Sequence, residues 1–516
     1  MLKAAGRLSM KLDIVKNAKR NMVFGVMCKL VALLCPFITR TVIQYVLGKE
    51  YLGLSSLFSS VISVLSVSEL GFSAAIVYCM YKPVAENDTK TVNALLNFYR
   101  KAYAVVGTVI LVAGLCLIPF LDKLIKGSYP DDINIVWLYM LYLINTSISY
   151  FMFAYRSSLI VVYQREDVNS ITNMIIRILL MILQLGLLYT THNYMLFALL
   201  MPIFTVANNL RIAFVVKKMF PQYRCEGRIS AEMLGDLKKR ISGTMVSAVC
   251  KMTRNSFDSI CISAFIGLAM TAMYNNYYCI NKAVTSLVAV FSNSLVGGIG
   301  NHVVLKTIEE NFRELKKVDF VYMNLSGWCT VCILCLSQPF MELWMGKDML
   351  LPQSVVMLLC LYFYVLKIGD MRDMYIETKG LWWEHRYRSV VEAFLNIILN
   401  IVLAKYFGLY GIIAATIITI LFVNHFWGGY ITFKNYFGTK KLKDYWLYHA
   451  GYFLCTLVIC AITYTVCCFI NTDGALKTLC IRFMICLVIP GIMYLVIYGK
   501  TKYFKETVNI VLKRKG

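Results

Sequence analysis

The chain has 516 residues, of which 59% are hydrophobic and only 16% charged; soluble globular proteins carry about 25% charge. Its mean hydropathy of +0.65 marks an integral membrane protein. The net charge of +24 would suit nucleic acid, but the basic residues sit in alternate loops between apolar runs, which excludes that reading and points to topology instead.

The first residues carry Lys3, Arg7, Lys11, Lys16, Lys19 and Arg20 with no apolar core separate from the first span, so a cleaved secretory signal is not expected. The segment 1–21 is expected in the cytoplasm. Apolar runs of roughly 20 residues follow, each able to cross about 30 Å of hydrocarbon at 1.5 Å per residue. The first six, at 22–46, 54–80, 102–121, 135–155, 171–190 and 194–216, make an N-terminal bundle, 22–216. A basic cytoplasmic link, 217–242, contains Lys217, Lys218, Arg224, Arg228, Lys238, Lys239 and Arg240.

Six more runs, at 243–266, 271–296, 319–341, 354–371, 389–404 and 409–431, make a C-terminal bundle, 243–431. A cytoplasmic loop at 432–447 leads to two further helices within 448–498, and 499–516 is a basic tail. The fold class is thus an all-α integral membrane protein of about fourteen spans: two pseudo-repeated six-helix bundles plus two C-terminal helices. Roughly 37 basic residues fall on one side and about 6 on the other, a positive-inside pattern that puts both termini in the cytoplasm.

The halves echo one another, as in transporters built from repeated bundles. "VMCKL" with Cys28 and Lys29 in the first span answers "AVCKM" with Cys250 and Lys251 in the seventh. That seventh span, "VSAVCKMTRNSFDSICISAFIG", places Lys251, Arg254 and Asp258 in an apolar run. Together these three cost roughly 7 to 10 kcal/mol at mid-bilayer, and the apolar neighbours recover only about 2 to 4. At 100° per residue Thr244, Ser247, Lys251, Arg254, Asn255 and Asp258 share one arc, as residues lining a watery interior would. Arg254 and Asp258, four apart, could equally neutralise one another.

Similar polar stripes align Lys29, Pro36, Arg40 and Gln44 on the first helix and Ser55, Ser59, Ser63 and Ser66, with Glu69 at the edge, on the second. On the eighth helix Asn275, Lys282, Ser286 and Asn293 line up. Positive charge exceeds negative inside the spans, and Lys29, Arg40, Lys251, Arg254 and Lys282 are the candidate substrate-binding residues. Cationic groups of this kind suit an anion such as phosphate or pyrophosphate.

The 18 cysteines lie mostly in helices without metal-ligand spacing and read as small apolar residues. No GxxxxGK[ST] loop is present, so nucleotide hydrolysis by this chain is unsupported. The five histidines are scattered. Neither a metal site nor a catalytic residue nor a cofactor is expected, and the outer loops are too short to carry an enzyme's active site.

The stretch from Val46 to Tyr103 has a Leu-Gly exit from the first helix, a Gly before the second and the turn Glu69, Leu70, Gly71, Phe72. With Asp258 and the apolar run to Gly267, it resembles polysaccharide flippases of the Wzx type, in the multidrug/oligosaccharidyl-lipid/polysaccharide exporter superfamily. The resemblance implies a V-shaped pair of bundles in the bacterial cytoplasmic (inner) membrane. These would move an undecaprenyl-pyrophosphate-linked oligosaccharide to the outer leaflet by alternating access, for surface polysaccharide biosynthesis. It further implies partners among membrane lipids and polysaccharide assembly proteins, shelter for the lipid tail beside the two extra helices, and a coupling ion, H+ or Na+. Glu69 and Asp258 are the coupling candidates. The alternatives are a lipid II flippase or a multidrug exporter of the same superfamily and, further off, a membrane polysaccharide polymerase or ligase.

Overall fold

Backbone polar groups left unpaired in hydrocarbon are costly, so a chain this apolar closes its hydrogen bonds within helices. In the computed structural model every regular element among the described residues is helical. The structure describes residues 14–66, 72–470 and 474–506, with side chains except in parts of 14–22, 72–74, 236–255 and 296–304. The chain divides into two compact units, Met1–Ser256 and Phe257–Gly516.

The first unit holds α1 (Ile14–Val46), α2 (Lys49–Leu65), α3 (Phe72–Ala85), α4 (Thr89–Leu117), α5 (Ile135–Phe151), α6 (Ser157–Val162), α7 (Glu166–Thr191), α8 (Tyr194–Met219) and most of α9 (Ala231–Phe265). Polar side chains at the loop ends satisfy the first amides of the helices: Asp88 accepts from Thr91 N, Asn134 from Trp137 N and Asn193 from Met195 N and Leu196 N. α1 lies along α7, and their starts are pinned together. Asn21 donates to the Gln164 carbonyl at 2.9 Å and accepts from Asp167 N at 2.9 Å, while Arg20 pairs with Asp167 at 2.9 Å. After α5 the chain bends by 49° into a second helical piece, Ala154–Val162, through Phe153 at φ 61°.

The second unit continues with α10 (Leu268–Leu305), α11 (Ile308–Met345), α12 (Gln353–Lys367), α13 (Asp370–Lys379) and α14 (Arg386–Thr419). A π-helical stretch, Ile420–Trp427, leads to α15 (Gly428–Thr432), followed by α16 (Leu442–Cys468) and α17 (Ala475–Tyr498). Gly408, at φ 55° and ψ −130°, breaks the helical geometry of α14. The arms 386–407 and 409–419 fold against each other, so that Asn396 Nδ2 reaches Thr416 Oγ1 at 3.1 Å. Glycine suits this backbone because it carries no Cβ.

Both C-terminal helices pack on α11. Gly327 makes that approach possible: a Cβ there would sit 2.7 Å from both Thr456 Oγ1 and Tyr494 Oη. One residue on, Trp328 Nε1 donates to the Cys486 carbonyl at 2.7 Å. Among the described residues nine helical stretches are long and apolar enough to cross a membrane, ten counting the bent pair. The stretch Arg386–Phe437 counts once in that number, although Gly408 divides it.

Candidate functional site

Asp258 lies on α9 and is buried. Asn400 Nδ2 donates to its Oδ1 at 2.9 Å, and Thr416 Oγ1 lies 3.0 Å from Oδ1 and 3.2 Å from Oδ2. Tyr274 Oη on α10 reaches Oδ2 at 3.3 Å. The three donors arrive from both arms of α14 and from α10, so the hairpin at Gly408 assembles this site.

A second layer holds those donors in place. Asn400 Nδ2 also reaches Asn396 Oδ1 at 3.2 Å, and Asn396 Nδ2 donates to Thr416 Oγ1 at 3.1 Å and Thr419 Oγ1 at 3.3 Å. All four residues are buried. Among the described residues Asn400 Oδ1 is a buried acceptor with no hydrogen-bond partner. An orphaned amide oxygen beside a buried carboxylate is costly to leave unsatisfied. A proton on Asp258, or a small hard cation among the Asp258, Asn396, Asn400 and Thr416 oxygens, would relieve it.

The basic candidates lie on different helices of the two units. Lys29 on α1 is exposed, and Arg40 one face-repeat further is half-buried, donating from Nη1 to Ser56 Oγ at 3.3 Å. Near it Tyr142 Oη reaches Ser55 Oγ at 3.1 Å and Tyr194 Oη at 3.0 Å. Arg177 on α7 is exposed. In the second unit Lys282 on α10 is exposed. The side chains of Lys251 and Arg254, and Glu69 entirely, lie outside the described residues. The proposed Arg254–Asp258 pair therefore lies outside them as well.

Two other pairs of charges close to the apolar stretches are local. Lys367 meets Asp370 at 3.0 Å and Arg388 meets Glu392 at 3.2 Å. The stripe on α10 divides: Asn275 Nδ2 donates to the Thr271 carbonyl at 2.8 Å and to Ser259 Oγ at 3.1 Å, tying α10 to α9, whereas Lys282 is exposed.

Sequence reasoning reached Asp258 but missed Asn396, Asn400, Thr416 and Thr419. For Asn396 and Asn400 a signal was available in "NIILN", two asparagines four apart in an apolar helix, and therefore on one face.

No family model matches the sequence, and no curated protein does. Solved structures do match. A lipid II flippase, MurJ, in an inward closed conformation is similar with a TM-score of 0.69 at 15% identity, covering 93% of this chain and 99% of that one. An inward-facing multidrug resistance MATE family transporter of the MOP superfamily gives 0.62 at 14% identity, covering 83% and 99%. A variant of the Vibrio cholerae MATE transporter VcmN gives 0.57 at 14%, covering 82% and 97%. The chain has the fold shared by these multi-pass membrane proteins.

Proposed function

We propose that the protein is a flippase that moves undecaprenyl-pyrophosphate-linked oligosaccharide repeat units across the bacterial cytoplasmic membrane by alternating access. The observation that carries this reading is the presence of exposed Lys29, Arg177 and Lys282 on otherwise apolar helices. Charge at such positions is not stable against lipid tails and calls for water or an anionic ligand. A pyrophosphate supplies the anion. Lys29 and Arg40 of the first unit, Lys251 and Arg254 on α9, and Lys282 of the second unit are the residues assigned to it during the cycle. The two six-helix bundles, cytoplasmic termini and outward loop around Lys347 belong to the same proposal.

The coupling site in this scheme is Asp258 with Asn396, Asn400 and Thr416, taking H+ or Na+. Convergent oxygens on α9 and on both arms of α14 give an ion differential affinity for two packings of those segments, which is what coupling requires.

A lipid II flippase is the second reading, favoured by the wide cover against MurJ. The MATE transporter covers 83% of the chain against 93%. That difference is close to the combined length of α16, 27 residues, and α17, 24 residues. It favours a lipid-linked substrate over a drug.

Reconstituted vesicles test the function. Flipping of a fluorescent lipid-linked oligosaccharide and of fluorescent lipid II is measured for the native chain and for Lys29→Gln, Arg40→Gln and Lys282→Gln. The proposal requires oligosaccharide transport that falls at least about tenfold in these variants. Transport of lipid II alone selects the second reading, and transport of neither rejects both.

A further inference from the structure

Three cysteines that are far apart in the sequence meet between α11, α16 and α17. Cys335, Cys467 and Cys486 are each fully buried, and their three sulfur atoms all lie within 4.8 Å of one another. Val331 and Ile459, also fully buried, pack with them, and Leu336, Ile485, Cys332 and Cys460 close the surroundings. The three thiols are free. Arg482 is one helical turn from Cys486, and its Nη1 donates to the Cys335 carbonyl at 3.5 Å, so a guanidinium stands at the edge of the group.

We propose that Cys335, Cys467 and Cys486 form a three-coordinate site for a soft monovalent metal ion of the Cu(I) class, which fastens α16 and α17 to α11. Thiolate donors select Cu(I), zinc or iron–sulfur centres, whereas Mg2+ and Ca2+ demand oxygen. Cys332 and Cys460 lie beside the group but outside the set of sulfurs that all come within 4.8 Å of one another, and three converging sulfurs suit a three-coordinate ion rather than tetrahedral zinc, which takes four ligands. The charge also balances for a monovalent ion. Two thiols release their protons and bind it as thiolates, the third coordinates as a neutral thiol, and the resulting single negative charge faces Arg482. Nothing is oxidised or reduced in the step. The two protons leave to solvent.

The test uses the full chain purified under reducing conditions in detergent. It is loaded with Cu(I) and desalted against a competing Cu(I) chelator, and metal and protein are then quantified. The expected result is one Cu(I) retained per chain, with X-ray absorption showing three sulfur neighbours. Retention should be unchanged in Cys116→Ser, an exposed cysteine of the other unit. Affinity should fall by at least about tenfold in each of Cys335→Ser, Cys467→Ser and Cys486→Ser. Size-exclusion profiles and helical content identify any variant that has lost its fold, and the sulfur count in the native chain stands independently of them. No retained metal in the native chain, a neighbour set containing nitrogen or oxygen, or retention unchanged in all three folded variants overturns the site.

Discussion

Asp258 and Asn400 stand 142 residues apart in the chain and are joined by a 2.9 Å hydrogen bond in the interior of the second unit. Asp258→Asn keeps the size of the side chain and removes its negative charge. If the carboxylate binds the coupling ion, abundance stays close to native while transport in vesicles no longer responds to an imposed H+ or Na+ gradient. If it serves as the structural partner of Arg254, abundance falls and Arg254→Gln in the same chain restores it. Undiminished gradient-driven transport by Asp258→Asn eliminates the coupling reading.

Arg372 on α13 is fully buried and satisfies the carbonyls that the π-helical stretch turns inward. Its Nη1 donates to the Asn424 carbonyl at 3.1 Å and the His425 carbonyl at 3.2 Å, and its Nη2 to Asn424 Oδ1 at 2.9 Å and Asp373 Oδ1 at 2.7 Å. Arg372→Leu leaves these acceptors unpaired and should lower stability by about 3–5 kcal/mol. Thermal unfolding in detergent reads the loss. A melting curve within error of native would show that the network holds nothing together.

Gly327→Ala places a methyl group 2.7 Å from the hydroxyls of Thr456 and Tyr494. The helices must move apart, at a cost of about 1–3 kcal/mol. Removing one of the clashing oxygens by Tyr494→Phe in the same chain should recover part of that cost. Equal melting temperatures for the single and double variants would contradict the close approach.

His385, in the turn before α14, is buried with Nε2 3.2 Å from Thr432 Oγ1. Burial first, and then the charges of Arg388 and Arg372, push its pKa down to about 3, against a smaller opposing effect of Asp373. The unfolded chain therefore takes up a proton at this residue between about pH 6.5 and pH 3 while the folded chain does not. Its contribution to stability is complete above pH 6.5 and declines as the pH falls through that window. Unfolding measured from pH 7.5 to 4.5 should show a shallower acid decline for His385→Gln than for the native chain.

Orientation is tested by single cysteines at Glu226 and Lys347 in a cysteine-free background. An impermeant reagent applied to intact cells should label position 347 and spare position 226. Labelling at 226 would invert the proposed topology.

The sequence by itself determined that the chain is a helical membrane protein, because apolar length and the bilayer's demand for internal hydrogen bonding act on each span separately. It located the reversal near Gly408, because the apolar run pauses there, and it singled out Asp258, because a charge within an apolar run is conspicuous in one dimension. The partners of that charge were decided only by tertiary structure. Asn400 and Thr416 are uncharged, and a neutral polar residue in a span has the same local signature whether it faces a carboxylate or a neighbouring carbonyl. Arg388 with Glu392 shows the converse: a pair four residues apart is legible from helical geometry, and the structure makes it at 3.2 Å. The convergence of Cys335, Cys467 and Cys486 lay beyond linear reading. It depends on how two C-terminal helices rotate about their axes when they dock on α11, and that rotation is set by packing at Gly327 and by the Trp328 hydrogen bond to the Cys486 carbonyl.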